Sequence, residues 1–372
     1  MFLIILLLLV VIILIAILAR KRSVKQSNTS DTQNRHETPF DVRTNDIQDL
    51  VKPKEVLDSS SNTQESFLKE QKKSIGLVGE LMPNALLQGG KYRIEKSLGQ
   101  GGFGITYLAE QTNLNRKVCI KEFFMKEYGE RTESSNADSE ATVLTGVSAV
   151  TSAAAEIMGK YRDKFIKEAK TIAKLDHPGI VRIHDVFEDN GTAYYVMDFI
   201  EGENLNDLVK REGALSEERA LGYIHQVADA LSYVHAHNIM HLDVKPSNII
   251  LRKSDDRAIL IDFGAAKQYD SSGTQTSTTP VGLSAGFAPI ELMKIGGVQT
   301  FSPETDVYSL GATLYYLVTG QNPPDASDVL DEGLPEMPEK LSSSLRAAVI
   351  ESMKTKKLRP KSISAFLELL DS

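Results

Sequence analysis

Three groups of residues in this 372-residue chain have types and spacings suited to handling phosphate. The first is Leu98-Gly-Gln-Gly-Gly-Phe-Gly-Ile-Thr-Tyr-Leu-Ala109, which holds G-x-G-x-x-G at Gly99, Gly101 and Gly104, with Gly102 between them. Residues without a Cβ let backbone amides come close to phosphate oxygens that a side chain would push away. The second is H-x-D-x-K-x-x-N at His241, Asp243, Lys245 and Asn248. The third is Asp262, which follows the apolar run Ile259-Leu-Ile261 and precedes Phe263 and Gly264. A buried strand there would deliver its carboxylate, a hard oxygen ligand, to a divalent cation.

These groups need particular elements to hold them. Residues 92–98 and 105–110 have strand character, so the glycines sit at the tip of a hairpin. Dinucleotide-binding folds instead place a helix after such glycines, and the strand-to-strand context argues against them. Val118-Cys-Ile-Lys121 reads as a short apolar strand ending in a lysine, whose ion-pair partner should be an acid on a following helix. Glu168 fits, because apolar residues at 165, 166, 169, 172 and 173 follow helical spacing around it. Cys119 shares a strand face with Lys121 and should point into the same cleft. There it reads as a small apolar contact rather than a reactive thiol. The spacing from Lys121 to Glu168 is 47 residues. Their polar start, Thr132 to Glu140, and weakly helical continuation to Lys160 predict a mostly solvated loop leading into an extended helix. An ordered regulatory element beside that helix is the alternative.

Three further motifs follow in order: Ala288-Pro-Ile-Glu291, Asp306 in Thr305-Asp-Val-Tyr-Ser-Leu-Gly311, and Arg359 in Leu358-Arg-Pro360. With all of them in sequence, the chain resembles the eukaryotic-like Ser/Thr protein kinases of bacteria over about residues 88–372. The resemblance implies an α+β, bilobal protein kinase fold, with a β-rich N-lobe (88–200), a helical C-lobe (201–372) and ATP between them. It further implies that Lys121 contacts the α- and β-phosphates while Glu168 holds it. Asn248 and Asp262 would bind Mg²⁺ (or Mn²⁺), and Asp243 would orient the attacking hydroxyl and take its proton, with Lys245 near the γ-phosphate. The same resemblance makes Met197 the gatekeeper and Asp198 to Ile200 the adenine hinge, and adds Cys119 and Ile250 to the ATP-binding set. Ser284 falls where the family bridges the catalytic Asp and Lys. Glu291 and Arg359 match a buried structural ion pair.

Two positions depart from the family pattern. Leu242 replaces the arginine of H-R-D and has no charge or donor to receive a phosphorylated activation-loop residue. Ile290 separates Pro289 from Glu291, where A-P-E has nothing between. A catalytically dead, nucleotide-binding scaffold and an aminoglycoside-type phosphotransferase are the competing readings. The first usually lacks the equivalents of Lys121, Asp243 or Asp262, and the second the lysine two residues after the Asp.

Outside this region, Phe2 to Ala19 are eighteen residues without charge or hydroxyl, followed by Arg20-Lys-Arg22. As a helix they would span about 27 Å, close to the hydrocarbon thickness of a bilayer. Residues 1–22 are therefore expected to form a single membrane-spanning helix, with the basic flank and all that follows in the cytoplasm. Residues 23–87 are polar and poorly periodic, and read as a disordered linker with a reach of about 45 Å. The formal net charge of −8 argues against a general nucleic-acid binder. A single cysteine excludes an intramolecular disulfide framework. The expected partners are thus the membrane and protein substrates bearing Ser or Thr.

Overall fold

The computed structural model describes residues 79–102, 104–134, 143–268, 284–293 and 302–372. The expected membrane helix, nearly all of the linker and the hydroxyl-rich part of the activation segment lie outside the described residues. No helix among the described residues is long and apolar enough to cross a membrane.

The first half of the described chain builds an antiparallel sheet from six strands: β1 (Leu86–Leu87), β2 (Tyr92–Gly101), β3 (Gly104–Gln111), β4 (Arg116–Phe123), β7 (Ile183–Asp189) and β8 (Thr192–Asp198). Their order is β1-β2-β3-β4-β8-β7. Alternation sets the two faces of β4: Val118 and Ile120 pack into the upper core, whereas Cys119 belongs with the residues beneath the sheet. Among the described residues that precede residue 88, Leu81, Ala85 and Leu87 are buried and belong to the same core as the sheet.

Two strands interrupt this order, β5 (Gly129–Ser134) and β6 (Val143–Ala149), which pair with each other as a separate hairpin. They lead into helix α1 (Ser152–Ile172), where the Thr151 hydroxyl accepts from the Ala154 amide. The extended helix was legible from periodicity. Of the stretch expected as a mostly solvated loop, residues 135–142 lie outside the described residues; the flanking parts are corrected to paired strands, with Arg131 and Val147 buried against the sheet.

The second half is helical. Its helices are α2 (Leu205–Glu212), α3 (Glu217–Ala236), α4 (Glu304–Thr319), α5 (Ala326–Glu332), α6 (Ser343–Ser352) and α7 (Ile363–Leu370). Nearly every residue of α4 is buried, so it forms the axis of this lobe. Between sheet and helices lie two short ribbons. One joins β9 (Gly202–Asn204), β11 (Ile249–Arg252) and β12 (Arg257–Leu260), and the other pairs β10 (Ile239–Met240) with β13 (Lys267–Gln268). They carry the loop bearing Asp243 and the turn bearing Asp262. Phe165 of α1 packs against both hydrophobic cores and ties the lobes together.

Candidate active site

The β2–β3 hairpin, β4, the chain after β8, and the loops around Asp243 and Asp262 enclose a cleft of about 830 Å³. It is lined by Gly99, Gly101, Gly102, Gly104, Cys119, Lys121, Met197, Asp198, Ile200, Asp243, Lys245, Asn248, Ile250 and Asp262. The structure thus brings together the glycine, lysine, hinge and loop residues expected from sequence. Gly104 has a direct steric reason: a Cβ there would lie 2.4 Å from the Glu122 carbonyl oxygen.

On the lower wall, Ser284 Oγ donates to Asp243 Oδ1 at 2.7 Å and accepts from Lys245 Nζ at 2.8 Å. Lys245 Nζ also lies 2.8 Å from Asp243 Oδ2. Asn248 donates its amide to Asp243 Oδ2 (2.9 Å) and to the Asp243 carbonyl (2.8 Å). Its amide donors are thereby turned to Asp243, and its carbonyl oxygen is left to accept a cation.

The loop itself is fixed from below by Asp306, which is fully buried. Its carboxylate accepts from the amides of His241 (2.9 Å) and Leu242 (2.8 Å) and meets His235 Nε2 at 2.8 Å. Burial alone would raise the pKa of Asp306, but the hydrogen bond and charge of His235 outweigh it and keep it below the ordinary carboxylate value. Leu242 is buried and sits at φ +64°, a left-handed backbone that a leucine adopts only under restraint. The hydrogen bond that its backbone N–H donates to Asp306 supplies that restraint. His241 is buried, with Nδ1 accepting from the Asp243 amide at 3.3 Å and Nε2 facing the Ile261 carbonyl at 3.2 Å. Desolvation lowers its pKa, so the neutral ring is favoured.

The upper wall differs from expectation in one pairing. Lys121 Nζ forms its ion pair with Asp262 rather than with Glu168. Burial opposes the charge on Lys121, but Asp262 and the Tyr195 hydroxyl more than compensate and raise its pKa. Asp262 is correspondingly held down at about 2, against the opposing effect of burial. A left-handed backbone at Asp262 (φ +57°) lets its Oδ1 also accept from the Gly264 amide at 3.2 Å. Glu168 lies on α1 near enough to Tyr195 for its charge to act on that hydroxyl. The short helical turn Phe263–Ala265 follows Asp262 and packs beside α1. Asp262 and the Asn248 carbonyl are both hard oxygen donors, so the residues present fit a divalent cation.

Cys119 is 8% exposed and its thiol is pushed up to about 12, by burial first and by Asp198 second. That supports its reading as a packing residue, since the thiolate is the reactive form. Glu291 meets Arg359 through two parallel bonds, at 2.5 and 2.9 Å, and both residues are buried. The inserted Ile290 therefore does not displace Glu291 from its partner. Thr106, Val181, Asn204, Asp207 and Ser247 also line the cleft and were not singled out from sequence. Asn204 and Asp207 also form a helix cap, the Asp207 amide donating to Asn204 Oδ1 at 2.9 Å.

A six-stranded sheet over a helical lobe, with glycines, a paired lysine and two carboxylates around the cleft between them, defines the two-lobed kinase class of fold. The profile of the protein kinase domain matches residues 149–370, and the chain belongs to the protein kinase family. That match starts at the end of the inserted hairpin, so the glycine loop and Lys121 precede it. The chain is similar to serine/threonine-protein kinase B of Synechocystis sp., with 31% identity over 64% of this chain and 38% of the relative. It is 33% identical to serine/threonine-protein kinase PknJ of Mycobacterium tuberculosis, over 66% of this chain and 36% of that protein. The alignments thus cover less than two fifths of these relatives. Among solved structures, PpkA-294 in its apo form superposes with a TM-score of 0.62 at 26% identity, covering 78% of this chain and 99% of that one.

Proposed function

We propose that this protein transfers the γ-phosphate of ATP to serine or threonine hydroxyls of protein substrates, from a position tethered at the cytoplasmic face of the membrane. The observation that carries the first part is the Asp243–Lys245–Ser284 cluster. A hydroxyl already sits 2.7 Å from Asp243 and 2.8 Å from Lys245, within hydrogen-bond reach of a base and a cation at once. A substrate hydroxyl beside Asp243 would be oriented by that carboxylate and lose its proton to it. Lys245 would stabilise the charge on the transferring group.

Phosphoryl transfer asks the protein mainly for positioning and charge neutralisation. Lys121 supplies a cation for the α- and β-phosphates, and the hairpin glycines supply backbone amides. Asn248 and Asp262 would hold Mg²⁺ or Mn²⁺, which would supply charge neutralisation to the phosphates. The names of these two relatives, both serine/threonine-protein kinases, support the same substrate class. Tethering is supported by the eighteen-residue apolar run and its basic flank.

Full-length protein in nanodiscs, supplied with labelled ATP, Mg²⁺ and a Ser/Thr peptide mixture, should label those peptides. Labelling absent from the wild type, or unchanged in Asp243→Asn, would reject the catalytic reading. Carbonate extraction of intact membranes should leave the protein in the pellet, and its release would reject the tether.

A further inference from the structure

Glu122 follows Lys121 on β4 and points to the opposite face of the sheet. It is 0% exposed, a charge removed from water. Its carboxylate accepts from the hydroxyls of Tyr107 (2.8 Å) and Tyr194 (2.7 Å) and from Arg131 Nη1 (2.7 Å), and it also meets Arg131 Nη2. Arg131 comes from the inserted hairpin, and its side chain is only 7% exposed. Burial works against its charge, but the bonds to Glu122 outweigh that and raise its pKa. Its remaining donors reach the Tyr107 hydroxyl (Nη2, 3.2 Å) and the Gly79 carbonyl (Nε, 2.6 Å), and its guanidinium lies over the Phe124 ring. The Leu81 amide donates in turn to Tyr107 at 3.0 Å. Three separate stretches of chain therefore converge on one carboxylate, β3, the hairpin and β8, and the entering segment bonds two of the side chains that reach it.

The hairpin is held on its second strand and at its base as well. The Val147 amide donates to the Asn190 carbonyl in the β7–β8 turn at 2.8 Å, and the Val150 amide to the Tyr128 carbonyl at 3.0 Å. One residue later, Thr151 caps α1. The Arg131 hairpin thus spans from the strand bearing Lys121 to the helix bearing Glu168. A buried, fully paired charge cluster tolerates little displacement, because any shift leaves a desolvated carboxylate short of donors.

We propose that Glu122 and Arg131 are positioning residues for the reaction: the inserted hairpin clamps β4 from its outer face so that Lys121 is presented to the nucleotide's phosphates. This rests on the nucleotide-binding reading of the cleft given above. Neither residue touches the nucleotide, and the clamp acts on Lys121 through one peptide unit of a strand. On the adenine side of the cleft, Val181 and Ile250 lie outside the clamp and Met197 lies three residues beyond Tyr194 on β8, so loss of the clamp should weaken phosphate binding far more than adenine binding.

The experiment compares full-length wild type with Arg131→Met, Arg131→Lys and the double variant Glu122→Gln/Arg131→Met. Dissociation constants for adenosine and for MgATP are measured by titration calorimetry, and folding is checked by thermal melting. Arg131→Met should weaken MgATP tenfold or more while adenosine stays within twofold, and Arg131→Lys should recover to within threefold of wild type. The double variant leaves no orphaned charge, so it remains folded if the single one does not, and it should show the same selective loss. Equal losses for both ligands would make the cluster merely structural. Unchanged MgATP affinity in the folded double variant would overturn the proposal outright. Wild type that binds MgATP without transferring phosphate would refute the kinase reading, and the MgATP–adenosine difference would still decide this one.

Discussion

The two walls of the cleft are built to different standards of fixity. On the lower wall, Asp243, Lys245, Asn248 and Ser284 already touch one another, and Asp306 holds the backbone beneath them from full burial. On the upper wall, Lys121 spends its charge on Asp262, across the cleft, while Glu168 sits nearby on α1 without being the lysine's carboxylate. The proton-handling half is anchored inside one lobe by a carboxylate that cannot move without losing its donors. The phosphate-gripping half joins a strand, a helix and a turn from different parts of the chain. The side chain of Asp262 is about 41% exposed, whereas Asp306 beneath the lower wall is wholly buried.

The sharpest break of the lower wall is Asp243→Asn. It is nearly isosteric, and removing the proton acceptor should lower kcat by about 10³-fold. Nucleotide affinity should stay within about threefold, because the phosphates are gripped elsewhere; initial rates and calorimetry check both. Asp306→Ala strikes the anchor instead. It leaves His235 and two amides without their acceptor, and should destabilise the fold by about 3 kcal/mol, read from urea denaturation.

For the upper wall, Glu168→Gln should reduce turnover roughly tenfold, about 1.4 kcal/mol in the barrier, with little loss of stability. If the lysine keeps Asp262 as its partner throughout the cycle, the variant will match wild type, and the contrast between the walls would be wrong. Acid should reveal the lower wall through stability. His241 is held below its ordinary pKa by burial, so its contribution is complete above about pH 6.5 and is lost as pH falls through the lowered value. The urea midpoint should therefore drop between pH 7.5 and 5.5, and His241→Gln should flatten that slope. Asp306, also depressed, adds a further loss only below about pH 4.

The smallest effect is expected from the activation segment. Leu242 offers no cation to a phosphate there, and its left-handed backbone is already held by Asp306. Replacing Ser271, Ser272, Thr274, Thr276, Ser277, Thr278 and Thr279 by alanine should change the initial rate on one peptide less than tenfold. A larger fall would mean that another basic residue has taken the arginine's place.

Much of this was written in the sequence. The glycine triplet, the Asp243–Asn248 spacing, Asp262 after its apolar run and the helix around Glu168 each depend on local geometry. Strand alternation, helical periodicity and the steric freedom of glycine act over a few residues, so they can be read from a few residues. The Glu291–Arg359 pair was legible only through family resemblance, and the geometry showed that Ile290 does not disturb it. The tertiary structure alone decided which carboxylate Lys121 meets, because Asp262 and Glu168 arrive from distant segments and their distances depend on how those segments pack. It alone turned the polar stretch after Lys121 into a hairpin whose arginine is buried against Glu122. Adjacent tyrosines at 194 and 195 were visible from the start. That one faces Glu122 and the other Lys121 follows from a sheet whose order, β4 beside β8, no local pattern encodes.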